Sequence, residues 1–245
     1  GRDTTTLRFT VQTTAAGHNY SAFFVAGGVN FQMADLRLEE DLHEPVEQFE
    51  FAGVFFESSA SDSACLVEGV DVEGFTYCLY SPSSGTDSAD GELFLAVRDC
   101  DLHPWWSFCI AFWTVPNGHK RLHIYDSFLH DNQHGHLVYC HPHNSVHVEN
   151  TRFDGANSWA FHFQGSEVAG DPEYQRFIGC LFGPHNAQGL ITQDRATVAT
   201  QVEVRNCMFE GQPGIQIRSD IVIDGCYFTT SKDSARTTTL IGAYS

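Results

Sequence analysis

Nine of the chain's thirteen histidines fall between Gly118 and Gln164: His119, His123, His130, His134, His136, His141, His143, His147 and His162. Imidazole is the side chain whose unperturbed pKa lies nearest neutrality, so this density points to proton transfer or metal binding. At its centre stands Tyr139-Cys140-His141-Pro142-His143-Asn144, a turn with titratable groups on both sides of a proline. Short β-type runs flank it, Leu137–Tyr139 and Val146–Val148, so a reactive group there would stand on rigid elements. His143, Tyr139 and His141 are the candidate catalytic groups. The pairs His134/His136 and His141/His143 project two imidazoles from one side when extended, which makes them candidate ligands for Zn or Cu.

Composition narrows the partners. The formal charge of −18, with 13 Lys and Arg against 31 Asp and Glu, argues against nucleic acid, whose phosphates need cationic neutralisation. No apolar run approaches the roughly 20 residues of a membrane span. An acidic ligand would need a local basic patch working against the global field. The chain starts at Gly1 without an initiator Met and reads as a mature or trimmed product. None of the eight cysteines forms a CxxC pair, which disfavours zinc-ribbon and thioredoxin architectures.

The elements that must position the histidines emerge from a repeat. Two alternating apolar residues, then Asp, Asn or Gly, then a small residue, any residue and a large apolar one recur eight times. The matches are Phe31–Leu38, Cys65–Val72, Leu95–Leu102, Leu122–Leu129, Val146–Phe153, Gln175–Phe182, Val202–Phe209 and Ile221–Phe228. Period-two alternation marks strands, and Asp, Asn and Gly tolerate a left-handed bend. A further strand follows each motif, for example Tyr77–Leu79, Phe108–Ile110, Leu137–Tyr139 and Phe161–Phe163. Fixed strand units with elastic connections are what a β-solenoid requires, because each coil buries its apolar side only against its neighbours. The expectation is a single all-β domain over residues 1–245, of about eight coils and little helix. Residues 1–17 would be a first coil or cap and 229–245 a C-terminal cap. Cys100, Cys180, Cys207 and Cys226 share the small-residue position with Ser127 and Thr151, which predicts an inward stack of reduced thiols.

If the alternating apolar residues point inward, the residues between them form outward ladders. One reads Gln32, Leu66, Ala96, His123, His147, Arg176, Glu203, Val222, and the other Ala34, Glu68, Arg98, Tyr125, Glu149, Ile178, Arg205, Asp224. His123, Tyr125, His147, Glu149 and Arg176 therefore gather on one face. With Lys120, Arg121, Arg152 and His162 they are the candidate substrate-binding residues. A polar face stabilised by cross-strand pairs is the simpler account of the same ladder.

The repeat resembles the right-handed parallel β-helix of the pectate-lyase-like superfamily over roughly residues 20–230. Within it, about 30 residues around the His141–Asn144 turn resemble the mannuronan C5-epimerases and related alginate lyases. Those proteins carry an Asp-Pro-His-Asp/Glu turn preceded by a catalytic Tyr. Pro142 and His143 match it; His141 stands where the family has Asp and Asn144 where it has an acid, and Tyr139 falls one residue late. The resemblance implies an extracellular or cell- or virion-surface protein that abstracts the C5 proton of an acidic, uronate-containing polysaccharide. His143 would be the base, Tyr139 the acid, and Lys120, Arg121, Arg152 or Arg176 would neutralise the carboxylate, with lyase and epimerase outcomes both open. Such chemistry requires no cofactor, although a divalent metal fits the histidine pairs. Two other classes remain: a non-catalytic carbohydrate-binding spike or adhesin, monomeric or homotrimeric, in which Trp105, Trp106, Trp113 and Trp159 stack on sugars, and a histidine-rich metal-binding module.

Overall fold

The computed structural model describes residues 5–9, 20–40, 51–57, 61–82, 91–113, 120–141, 144–164, 174–194, 202–211, 214–217, 221–229 and 241–243. Its 26 strands form three sheets of nine, nine and eight strands, every pairing parallel and every neighbour one coil away. Each coil runs through a leading strand, a bend, a following strand and a closing strand. Lys120–Tyr125, Phe128–His130 and Val138–Cys140 make one such coil; Ser145–Glu149, Arg152–Asp154 and Trp159–Gln164 make the next. Eight complete coils are preceded by two strands, Thr5–Phe9 and Tyr20–Val25, which extend the following and closing sheets by one level. Ile241–Ala243 adds the last closing strand. The described residues contain no helix.

The bend sets the register. Asp35, Asp99, Asp126, Asn150 and Asn206, with Gly69, Gly179 and Gly225, all have φ between 49° and 63°. Asn and Asp adopt this left-handed geometry most readily after glycine, which explains the residue choice. Bend hydrogen bonds continue the ladder: the Asp126 N–H donates to the Glu149 carbonyl at 3.1 Å and the Asn150 N–H to that of Ile178 at 3.0 Å. A Cβ built on Gly179 would lie 2.7 Å from Asn150 Oδ1, and one on Gly225 2.3 Å from Asn206 Oδ1. Glycine is thus required where the preceding Asn side chain leans over the bend.

After the bend, the small residue turns inward and caps a carbonyl. Ser127 Oγ donates to the Tyr125 carbonyl at 2.7 Å and Thr151 Oγ1 to that of Glu149 at 2.9 Å. Cys100, Cys180 and Cys207 do the same with Sγ toward the preceding coil, reaching the carbonyls of Val67, Val148 and Phe177 at 3.4–3.6 Å. All eight cysteines are free thiols. Seven are buried, and burial pushes the Cys100 and Cys140 thiols up to about 12. Cys226 is only half-buried, on the last coil among the described residues.

The closing residue of the motif fills the core. Leu38, Val72, Leu102, Leu129, Phe153, Phe182 and Phe209 are fully buried. Phe153, Phe182, Phe209 and Phe228 stack with ring centroids 5.0, 4.9 and 4.6 Å apart and planes within 13°. Equivalent side chains on successive parallel strands repeat at about 4.8 Å, so identical aromatic residues stack without changing rotamer.

Candidate functional site

The leading face brings the ladder residues together. His123 pairs with His147 and Tyr125 with Glu149 on adjacent strands, and Arg176 follows His147 one coil later. His123 is gripped at both nitrogens by phenols: Tyr125 OH lies 2.9 Å from Nδ1 and Tyr174 OH 2.5 Å from Nε2. Phe94 packs edge-on against the imidazole at 4.9 Å. Burial, then the His147 and Arg121 charges, pull the His123 pKa down to about 4, so the ring is neutral at physiological pH. Burial and the Glu149 charge raise the Tyr125 phenol, so it keeps its proton. His147 Nε2 lies 3.3 Å from Glu149 Oε2, and the His123 and His147 rings are 5.5 Å apart.

The arginines of this face are matched by carboxylates. Arg121 pairs with Glu92 at 2.7 Å, Arg176 and Arg205 with Glu203 at 3.0 and 2.5 Å, and Arg98 with Glu68 at 3.6 Å. The face is electrically balanced within a strongly acidic chain, not basic. Arg98 and Arg176 also lie over the rings of Tyr125 and Tyr174, at 5.7 and 5.6 Å.

Other sequence candidates lie elsewhere. Lys120 opens the leading strand but points inward: it is buried, and Nζ donates to Ser81 Oγ at 2.7 Å, to the Pro82 carbonyl at 3.2 Å and to the Trp113 carbonyl. Burial lowers its pKa to about 7. It is a corner brace between sheets and offers no cation to a surface ligand. Arg152 sits on the following face, 3.0 Å from Asp154 and over the Phe128 ring at 4.7 Å. Tyr139 and His162 are neighbours on the closing face.

On that closing face, the Trp159 N–H donates to His136 Nδ1 at 3.2 Å. His136 must then carry its proton on Nε2, which donates to His162 Nδ1 at 2.8 Å. Burial and His162 hold the His136 pKa near 3. A histidine locked in this way does not pair with His134 as a chelate; His134 is exposed and tilts over Trp106 at 3.8 Å. Phe24, Phe55, Tyr80, Trp113 and Tyr139 continue the closing face as a row with successive centroids 5.3, 5.5, 5.3 and 5.7 Å apart.

Pro142 and His143 lie outside the described residues. Their flanks are defined. His141 is half-buried, and Asn144 is fully buried with Nδ2 donating to the Phe112 carbonyl at 3.0 Å and to Cys140 Sγ at 3.3 Å. Asn144 therefore closes the turn onto the core, where a catalytic acid would need to face a ligand.

The following face holds groups that the ladder reading passed over. Arg37 bridges Glu39, Asp71 and Glu73 at 2.5, 3.1 and 2.7 Å. Two and three coils after Arg37 come Asp101/His103 and Phe128/His130. A cleft of about 430 Å³ opens beside them, lined among others by Arg37, Glu39, Glu40, Glu73, His103, Trp105 and Asp131. Glu40 is nine-tenths buried, its Oε1 has no hydrogen-bond partner, and burial pushes its carboxyl up to about 8. Trp105 Nε1 is likewise unpartnered. The signal was present in the sequence as the alternating pairs Arg37/Glu39, Asp71/Glu73 and Asp101/His103 after each bend.

No protein-family model matches the chain, and no curated protein or solved structure shows significant similarity to it.

Proposed function

We propose that the protein acts on a uronate-containing polysaccharide laid across the leading face, by proton transfer through His123 and the two tyrosines that hold it. The observation that carries this reading is the hydrogen-bonded row Tyr125–His123–Tyr174 on an outward face. A neutral imidazole donates at one nitrogen and accepts at the other. A proton entering at one phenol oxygen can therefore leave at the other as the ring changes tautomer. One phenol oxygen would take the C5 proton as its own proton passes to the imidazole, and the imidazole would pass its N–H proton to the other phenol. That phenol would give its proton to the C4 oxygen as the C4–O bond breaks and the C5 electron pair forms the C4=C5 bond. Return of a proton to C5 from the opposite face would instead give the epimer. Arg176 and Arg98 stand beside the relay, so a substrate carboxylate would compete with Glu203 and Glu68 for them. The coil repeat's resemblance to the pectate-lyase-like superfamily supports the same substrate class.

The test is a panel of uronate polymers scored for unsaturated-product absorbance and for solvent-proton exchange at C5. Wild type should give one of the two signals. Tyr174→Phe and His123→Ala should each lower turnover by about 100-fold or more, with polymer binding changed only a few-fold, as expected for loss of an acid–base group. Wild-type silence on every polymer it binds would sink the catalytic reading. A purely adhesive protein would then be favoured, with the exposed Phe24 and the half-buried Phe55, Trp113 and Tyr139 rings of the closing face as its candidates for sugar stacking.

A further inference from the structure

The following face carries a second, independent centre. His130 Nε2 lies 2.7 Å from Asp101 Oδ1, while its Nδ1 lies 2.9 Å from Asp131 Oδ2. The His103 ring stacks against His130 at 4.7 Å, and His103, His130 and Asp131 each bring a ligand atom within 4.8 Å of the others. His103 and Asp131 also line the cleft that holds Glu40, Glu73 and Trp105.

We propose that His103, His130 and Asp131 bind a divalent transition metal of the zinc class, with its remaining coordination position open to this cleft. Two imidazoles and one carboxylate are the ligand types that zinc and its neighbours select, and three protein ligands leave a position for water or a ligand. Bonds of about 2.0–2.2 Å at tetrahedral angles put ligand atoms about 3.3 Å apart. The His130–Asp131 separation of 2.9 Å is already close to this, and the His103 ligand atom lies within 4.8 Å of both. Asp101 supplies the outer partner: its hydrogen bond holds a proton on His130 Nε2, and a metal would take the place of the second proton, which Nδ1 shares with Asp131. Carboxylate–histidine–metal arrangements orient and strengthen the ligand in this way. The buried Glu40 oxygen has no hydrogen-bond partner and lies in the wall of the same cleft, an unmet polar group beside the metal's open position. Asp131 has φ 55°, a backbone conformation that Asn shares, so Asp131→Asn removes the ligand charge and keeps the turn.

The experiment is titration of chelator-treated, full-length protein with Zn²⁺ alone by calorimetry, and with Co²⁺ by visible absorption. One equivalent should bind at micromolar affinity or tighter. His103→Ala and Asp131→Asn should weaken it at least tenfold, and Asp101→Asn by about tenfold or more. In wild-type protein, ¹⁵N imidazole shifts should move for His130 Nδ1 and His103, which identifies the ligands even if a variant fails to fold. Binding that survives His103→Ala and Asp131→Asn, binding lost in His134→Ala, or no binding at all would each overturn the assignment.

Discussion

The leading and following faces lie on the same coils, separated by a single bend, yet they treat charge in opposite ways. On the leading face every arginine meets a glutamate, and the central histidine is neutral between two phenols. On the following face Arg37 serves three carboxylates, His130 sits between two, and Glu40 is buried with an oxygen that pairs with nothing. Burial alone would push the His130 imidazole down, but Asp101 and Asp131 outweigh it and raise its pKa. Stacking at a fixed spacing brings like positions together whatever they carry. The chemistry of a face is then decided by whether its neighbours compensate one another: the leading face offers a neutral relay among paired charges, the following face charges that are only partly matched.

The largest expected effect comes from removing that imbalance. Between pH 4.5 and about 8 the folded chain holds a proton on Glu40 that the unfolded chain has lost, so stability falls as pH rises through this window. Glu40→Leu should remove that decline and stabilise the protein at pH 8 by on the order of a few kcal/mol, read from denaturant unfolding at pH 5 and pH 8. An unchanged pH dependence would mean that the cleft carboxyl is ionised in the fold.

The bend that divides the faces comes next. Gly179→Ala puts a side chain at φ 63° and against Asn150 Oδ1, and should cost about 1–2 kcal/mol in the same assay. A neutral result would show that the bend relaxes easily and does not hold the faces apart.

On the acid side, His123 and His136 are neutral in the fold at pH values where the unfolded chain protonates them. Stability should therefore fall as pH drops from 6.5 toward 4 for His123 and toward 3 for His136. His136→Phe should flatten part of that slope, about 1 kcal/mol between pH 6.5 and 5. The smallest effect belongs to the compensated face: Arg176→Ala should change stability by less than about 0.5 kcal/mol, because exposed ion pairs contribute little. A larger loss would show that balance on the leading face is structural.

The scaffold was legible because its determinants are local. Alternation gives each strand, and Asp99, Asn150 or Gly179 names each bend through the one backbone geometry those residues share. The His123/His147 and Tyr125/Glu149 pairings followed from counting along the repeat. What was not legible depends on the turn between strands. Tyr174 precedes its motif, so nothing in the spacing placed its hydroxyl on His123. Lys120 occupies a strand position whose side chain turns into a corner, toward Ser81 and Trp113, which a two-sided strand pattern does not anticipate. Arg152 and His162 lie close in sequence to His147 but belong to the other two faces. Glu40 ends its strand, where Gly74 of the next coil lies close against its backbone: a Cβ there would meet the Glu40 carbonyl at 2.6 Å.

The bend has one more implication, for how such a chain can change. Because each bend hydrogen-bonds to the same bend of the next coil, it acts as a reading frame. One residue inserted between Leu122 and Leu129 would exchange inside for outside along that stretch, whereas residues added between a closing strand and the next leading strand leave the frame intact. Substitution at His123, His147 or Arg176 likewise edits one letter of a face without rephasing the others. Duplication of a whole coil would lengthen all three faces by one step of about 4.8 Å. In this molecule the unit of inheritance for shape is the coil, and the unit for chemistry is the single outward residue.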